Sequence, residues 1–198
     1  MLAFHAIISA YGFWLPNDPR GSWSTYVGSR ALHQYGGNAT KVSTRRSVAL
    51  RSHCIKQRYS VKQQLKYTPV RFTGWQALSI ASGFEQVACE ADYRIVALAI
   101  MPTHIHAVIL NHSRKPSQIM GHLKRGATNQ LIKDSRHPCL LNGWVTHSCW
   151  AKQAWAVYID TERHLRRAIQ YVEENPINDG LRPQKWSVVN AYRDRVKL

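Results

Sequence analysis

The chain has 198 residues, a length typical of one domain, and 44% of them are hydrophobic, which is enough to form a core. It carries 27 Lys and Arg against 11 Asp and Glu, a formal net charge of +16. This charge excludes a typical acidic cytosolic enzyme and favours a polyanionic partner, with nucleic acid first, although a solvated basic surface or a membrane-surface protein would have a similar composition.

The cysteines lack the CxxC spacing of a metal knuckle, so we interpret all four as reduced thiols of an intracellular protein: Cys54, Cys89, Cys139 and Cys149. No apolar run reaches the roughly 18 residues of a membrane span. The opening segment is apolar but contains His5 and no basic region, so it predicts a strand rather than a signal peptide.

The first predicted element is a strand over residues 3–11, and a basic insertion is predicted over residues 17–70, with some helix near residues 47–65. Between Pro19 and Phe84 there is no acidic residue, whereas 11 residues are Lys or Arg. Basic and aromatic side chains alternate there, which favours a nucleic-acid-binding arm over a solvated loop. Its candidate DNA contacts are Arg20, Arg45 and Arg46.

Regular elements follow the insertion. Helical spacing predicts a helix over residues 75–90, and two apolar runs predict strands over residues 93–101 and 104–110 joined as a hairpin. Pro116 opens a helix that extends to about residue 133, and residues 137–150 are expected to be irregular. A strand over residues 153–159 then precedes a last helix that Asn175-Pro176 is expected to end. Residues 182–198 are predicted to be a C-terminal tail.

This order of elements predicts an α+β fold within a single domain over residues 1–198. The expected architecture is a ferredoxin-like antiparallel sheet with helices on one face, in the order βαββαβ plus a C-terminal helix. The basic insertion follows the first strand.

The most informative pair of residues is His104 and His106. They are two apart in a predicted strand, so both project from the same face and form a ready bidentate metal site. Two hydrogen-bonded strand histidines are the alternative, because ten histidines in the chain make chance pairs plausible.

The last predicted helix adds two polar groups to that face. Its apolar stripe leaves Tyr171 at the margin, and Asn175 follows four residues later on the same side. A tyrosine near a metal can attack a phosphodiester and become covalently attached, while the metal stabilises the charge that develops. Two imidazoles with an amide oxygen suit Mg²⁺ or Mn²⁺. A boundary aromatic and a helix-terminal amide are the alternatives.

Two segments in this order resemble the HUH single-tyrosine transposases, and among them the REP-associated tyrosine transposases of bacteria. They are MPTHIHAVI (residues 101–109) and AIQYVEENPINDGL (residues 168–181). A third segment, YGFWLPNDPRGSW (residues 11–23), resembles the signature that follows the first strand in one branch of that group.

The resemblance implies that His104 and His106 bind the divalent metal, that Tyr171 is the nucleophile and that Asn175 is a further ligand. The family commonly has Gln at the last position, and Asn is one methylene shorter, which puts direct ligation in doubt. It also implies single-stranded DNA with palindromic hairpins as substrate, cleavage through a 5′-phosphotyrosine, and a cytoplasmic, nucleoid-associated bacterial protein. Whether the protein is a monomer or a homodimer stays open.

Further phosphate contacts are predicted outside the insertion, each of which is alternatively a solvated cation: Lys124, Arg125, Arg163 and Arg167. Two other functions remain open. The chain could be a non-catalytic hairpin-DNA-binding protein on the same fold, or a metal-dependent hydrolase. The intact HxH and Tyr argue against the first, and the scarcity of acidic residues near His104 argues against the second.

Overall fold

The computed structural model of the chain describes residues 1–13, 15, 55–190 and 192. Most of the predicted basic insertion therefore lies outside the described residues, as do Arg20, Arg45 and Arg46. The strands are β1 (Ala3–Ala10), β2 (Ile95–Ile100), β3 (His104–Leu110), β4 (Leu140–Leu141), β5 (Trp144–Val145) and β6 (Trp150–Ile159). The helices are α1 (Ile55–Gln63), α2 (Gly74–Ala91), α3 (Pro116–Lys133) and α4 (Glu162–Asn178).

Four strands form one antiparallel sheet in the order β2-β3-β1-β6, and β4 pairs with β5 in a separate small hairpin. The chain passes from β1 to β2 across β3, and from β3 to β6 across β1, and each of these connections contains helix. The predicted α+β class and antiparallel sheet are confirmed. Because β1 and β3 are the two central strands, their backbones are paired on both sides.

Alternation along β3 divides the core in two. Ile105, Ala107 and Ile109 are buried in the cluster that contains the apolar faces of α2 and α3. Val108, on the opposite face, is buried in the cluster that contains Leu165 and other apolar residues of α4. The prediction of helices on one face therefore describes α2 and α3, whereas the C-terminal helix α4 covers the face that bears His104 and His106.

The last helix is longer than predicted, because Pro176 lies inside it instead of ending it. A proline has no N–H to donate and normally displaces the preceding residue from helical geometry. Here its ring is buried, and it lies in the last turn, where few further bonds depend on it. The carbonyls of Asn175 and Pro176 still accept from the N–H groups of Asp179 and Leu181. Asn175 is therefore an interior residue of α4.

The start of β6 is also corrected. The segment over residues 137–150 is not wholly irregular, since it contains the β4–β5 hairpin, and β6 begins at Trp150 instead of residue 153.

The described residues of the predicted C-terminal tail contact the sheet. Gln184 accepts from the N–H of Ile100 at 2.8 Å and donates to its carbonyl at 2.9 Å, so it pairs with the outer edge of β2. Asn190 adds a bond from its N–H to the carbonyl of Ile95 at 2.8 Å.

In the described part of the chain, no helix combines the length and the apolar character needed to cross a membrane.

Candidate active site

The histidine pair lies on the central strand β3, where it is shielded from solvent. His104 is 9% exposed and His106 is 4% exposed. Their ring centroids are 4.7 Å apart and the rings are perpendicular. The predicted common face is confirmed, because both imidazoles lie on the α4 side of the sheet.

Each imidazole of the pair is held through its Nδ1 atom. Nδ1 of His104 lies 2.9 Å from the hydroxyl of the buried Thr103. Nδ1 of His106 lies 2.9 Å from Nε2 of His5, a residue of β1. A histidine that binds a metal through Nε2 typically uses its other nitrogen in this way, to donate to an acceptor that fixes the ring.

The tyrosine reaches this face from α4. The side chain of Thr161 caps the helix by accepting from the N–H of His164, and Leu165 and Val172 are fully buried against the sheet. Tyr171 lies at the margin of this buried stripe and is 50% exposed. Its ring centroid is 5.5 Å from that of His106, with the rings at 84°. The phenol ring therefore packs edge-on against His106 while the side chain stays half-exposed to solvent.

The structure brings His104, His106 and Tyr171 together. Asn175 is half-buried and lies one helical turn beyond Tyr171 on the same side of α4. The continuation of α4 through Pro176 keeps this i, i+4 relationship helical.

Burial favours the neutral form of the His106 and His5 imidazoles. It is the main cause that lowers the pKa of His106 well below the usual value, and the neighbouring His104 and His5 lower it further. Burial and then His164 lower the pKa of His5 to about 4. Neutral imidazole is the form that binds a metal, so these rings do not have to lose a proton at neutral pH before coordination.

The donor set fits a divalent cation only if oxygen ligands complete it. Among the described residues, no group of three or more His, Cys, Asp or Glu side chains is arranged to hold a metal ion. The two imidazoles therefore have to be supplemented by an amide oxygen, by water or by oxygens of the substrate. Such a mixed nitrogen and oxygen set, with open positions, is compatible with Mn²⁺ or Mg²⁺.

The predicted cations differ in their placement. Arg163 and Arg167 are exposed on α4, and Arg167 lies one turn before Tyr171. Arg125 is exposed on α3, on the far side of the sheet. Lys124 is half-buried on the same helix, and its ammonium donates to the carbonyl of Ala151 at 2.8 Å. Burial lowers the pKa of Lys124 to about 8.

His5 was not among the predicted site residues. The register pairs Ile7 with His106, which places His5 on the same face of the sheet two residues away. Alternation along β1 was readable from the sequence, but the pairing of β1 with β3 was not, so nothing indicated that this histidine would meet the pair.

The comparisons with known proteins identify the family. A sequence profile described as Transposase IS200 like matches residues 49–175, which is more than half of the chain and includes His104, His106, Tyr171 and Asn175. The chain therefore belongs to the family of IS200-like transposases, as the motifs predicted.

One solved structure that resembles the chain is described as the REP-associated tyrosine transposase bound to a REP hairpin. Its TM-score is 0.48 and its sequence identity is 12%, and the alignment covers 90% of this chain and 68% of that chain. No curated protein sequence gives a significant match. The family assignment rests on the sequence profile.

Proposed function

We propose that this transposase cleaves and rejoins single-stranded DNA at palindromic hairpin repeats, with Tyr171 as the nucleophile and Mg²⁺ or Mn²⁺ at His104 and His106. The observation that carries the proposal is the placement of the half-exposed Tyr171 ring against His106, on the face of the sheet that bears both histidines. The family membership supports DNA strand transfer in general, and this geometry supports the particular residues.

The proposed reaction is a transesterification at phosphorus. The phenol of Tyr171 loses its proton, its oxygen attacks the scissile phosphate, and the bond from phosphorus to the 3′ oxygen breaks. The leaving 3′ oxygen takes up a proton, so the products are a 5′-phosphotyrosine and a DNA 3′-OH. Attack by a 3′-OH on the phosphotyrosine reverses the step, and because the ester retains the energy of the broken bond, rejoining needs no ATP.

The chain's own residues divide this work. His104 and His106 would hold the cation, and Asn175 is the candidate for a further oxygen ligand. A cation held there would stabilise the negative charge that develops on the phosphate. Arg163 and Arg167, exposed on the helix that carries Tyr171, would hold the DNA backbone beside the site through phosphate contacts.

The preference for hairpins is proposed from the sequence segments that resemble the REP-associated enzymes. The net charge of +16 favours binding to a polyanion but does not select a hairpin over a duplex. A competition between single-stranded hairpin and perfect duplex of the same sequence tests this part, and equal affinity for both would contradict it.

The catalytic part is tested with Tyr171→Phe and a matched control. This substitution removes one oxygen and keeps the ring, so α4 should pack as before. Tyr158→Phe is the control, because Tyr158 is 58% exposed and pairs across the sheet with Phe4, which lies on the face opposite to His106. Each protein is incubated with a panel of single-stranded hairpin oligonucleotides and Mn²⁺, and the products are separated on a denaturing gel.

We expect wild type and Tyr158→Phe to cleave and to form a protease-sensitive covalent adduct, whereas Tyr171→Phe binds the hairpin and forms neither product. An adduct with Tyr171→Phe would assign the nucleophile to another residue. Hairpin binding without cleavage or adduct by any of the three proteins would instead favour the alternative of a non-catalytic hairpin-DNA-binding protein.

A further inference from the structure

The ring of His106 is contacted by a histidine from a different strand. Nε2 of His5 lies 2.9 Å from Nδ1 of His106, and the two ring centroids are 4.9 Å apart at a tilt of 40°. Two imidazole nitrogens at this distance are joined by one proton, so one ring donates and the other accepts.

The direction of this bond decides whether His106 can coordinate a cation through Nε2. If Nδ1 of His106 carries the proton and donates to His5, the lone pair of His106 is on Nε2, where a cation can use it. If His5 donates instead, the proton of neutral His106 is on Nε2, and coordination through that atom is blocked. Only an accepting His5 is compatible with a metal site at His106.

We infer that His5 is a positioning residue for the proposed metal site: by accepting from Nδ1 of His106, it fixes that ring in the tautomer and rotation that a divalent cation requires. This inference rests on the proposed function. Thr103 makes the equivalent contact to Nδ1 of His104 at 2.9 Å. The two outer contacts therefore come from different parts of the chain, one adjacent to β3 and the other from β1.

This role makes the first strand part of the active site. The family profile begins at residue 49, after β1, so the profile match does not include His5. The register of β1 against β3, with Ile7 opposite His106, brings the two histidines together. Any slip of this pairing by one residue would turn His5 to the other face of the sheet.

A purely structural role is the rival explanation. The ring of His5 also packs against Tyr171, with centroids 5.8 Å apart at 64°, so it fills space between β1 and α4. The test must therefore separate volume from hydrogen bonding. His5→Leu replaces the imidazole with an apolar side chain of similar size and removes the hydrogen-bond acceptor. His5→Gln keeps an acceptor, because its side-chain oxygen can lie near the position of Nε2.

The first measurement needs neither metal nor DNA. In protein labelled with ¹⁵N-histidine, the ring nitrogens report which one carries the proton, and the signals of His106 are assigned by their loss in His106→Ala. We expect the Nδ1–H tautomer in wild type and in His5→Gln, and the Nε2–H tautomer or a mixture in His5→Leu. An unchanged tautomer in His5→Leu, or Nε2–H in wild type, would overturn the inference.

The second measurement is the affinity for Mn²⁺ alone, by calorimetry or by the Mn²⁺ electron paramagnetic resonance signal. Loss of an outer contact to a ligating histidine typically costs about 10–100-fold in metal affinity. We expect a loss of this size for His5→Leu and a loss of only a few-fold for His5→Gln. Hairpin binding in the presence of a chelator should be the same for all three proteins, which checks that the variants are folded.

The outcomes separate this inference from the proposed function. If wild type and His5→Leu bind Mn²⁺ equally and both cleave hairpin DNA, the role of His5 is wrong and the proposed function stands. Equal loss in His5→Leu and His5→Gln, with tautomers unchanged, would assign His5 to packing and also overturn the inference. If wild type binds no Mn²⁺, the metal-dependent step of the proposed function fails, and the role of His5 fails with it.

Discussion

The close approach of α2 and α3 predicts an unusual response to a glycine substitution. A Cβ added at Gly83 would lie 2.6 Å from the carbonyl oxygen of Gly126 and 2.8 Å from the N and Cα atoms of Ala127, whereas ordinary contacts begin at 3.4 Å. These are backbone atoms of a packed helix and cannot rotate away. In Gly83→Ala, α3 would have to move away from α2 by several tenths of an ångström.

The expected magnitude is a balance of two terms. Overpacking of a well-packed core costs about 1–3 kcal/mol, and alanine gains about 1 kcal/mol over glycine within a helix. We expect the free energy of unfolding to fall by about 1 kcal/mol, which for a chain of this size lowers Tm by roughly 2–4 °C. Thermal unfolding followed by circular dichroism measures this shift.

Gly121→Ala in α3 is the control, because a Cβ at that position meets nothing within 4 Å. Only the propensity term remains there, so Gly121→Ala should raise Tm by roughly 2–4 °C. A rise in Tm for Gly83→Ala of the same size as for Gly121→Ala would refute the close crossing of the two helices.

Three further predictions follow from the site and the core. His104→Ala and His106→Ala should each abolish cleavage of hairpin DNA while leaving hairpin affinity within a few-fold. The reason is that the metal ion would act on the scissile phosphate, whereas affinity comes from distributed Lys and Arg side chains. Cleavage retained by either variant in chelator would remove the metal assignment. The double variant Arg163→Gln/Arg167→Gln should weaken hairpin binding and reduce the slope of log affinity against log salt by about 1.5, whereas Lys124→Gln should leave the slope unchanged because its ammonium is engaged by Ala151. Alkylation of native protein at pH 8, mapped by mass spectrometry, should label the exposed Cys89 and spare the buried Cys149. Burial, and then the neighbouring Cys139, raise the pKa of Cys149 to about 12, so its thiol is not ionised at this pH. Equal labelling of both would contradict the described core.

Local patterns were sufficient to predict most of the elements and which candidate site residues share a face. The alternation in β3 predicted that His104 and His106 share a face, and the apolar stripe of α4 predicted that Tyr171 lies at its margin. These predictions hold because side-chain direction within one strand or one helix follows directly from its period. The observed ring contact between Tyr171 and His106 required one further condition, that α4 covers the histidine face, and the structure meets it.

The missed features depend on contacts between distant segments. His5 meets His106 only because β1 pairs with β3 in one register, and Gln184 is fixed only because an open edge of β2 is available to it. Pro176 was expected to end α4, but it lies inside the helix and its ring is buried. The free energy gained by this burial offsets the cost of the one hydrogen bond that proline cannot donate. Only at Pro176 does tertiary packing override a local preference, whereas the contacts of His5 and Gln184 depend on the pairing of distant segments, which no local pattern contains.

The central claim is that Tyr171 forms the covalent bond to DNA. The most direct measurement is tandem mass spectrometry of the adduct formed with a single-stranded hairpin oligonucleotide and Mn²⁺, after protease and nuclease digestion. The account predicts a nucleotide attached through a 5′-phosphate to Tyr171, in the peptide that also carries Asn175. A nucleotide attached to any other residue would contradict it.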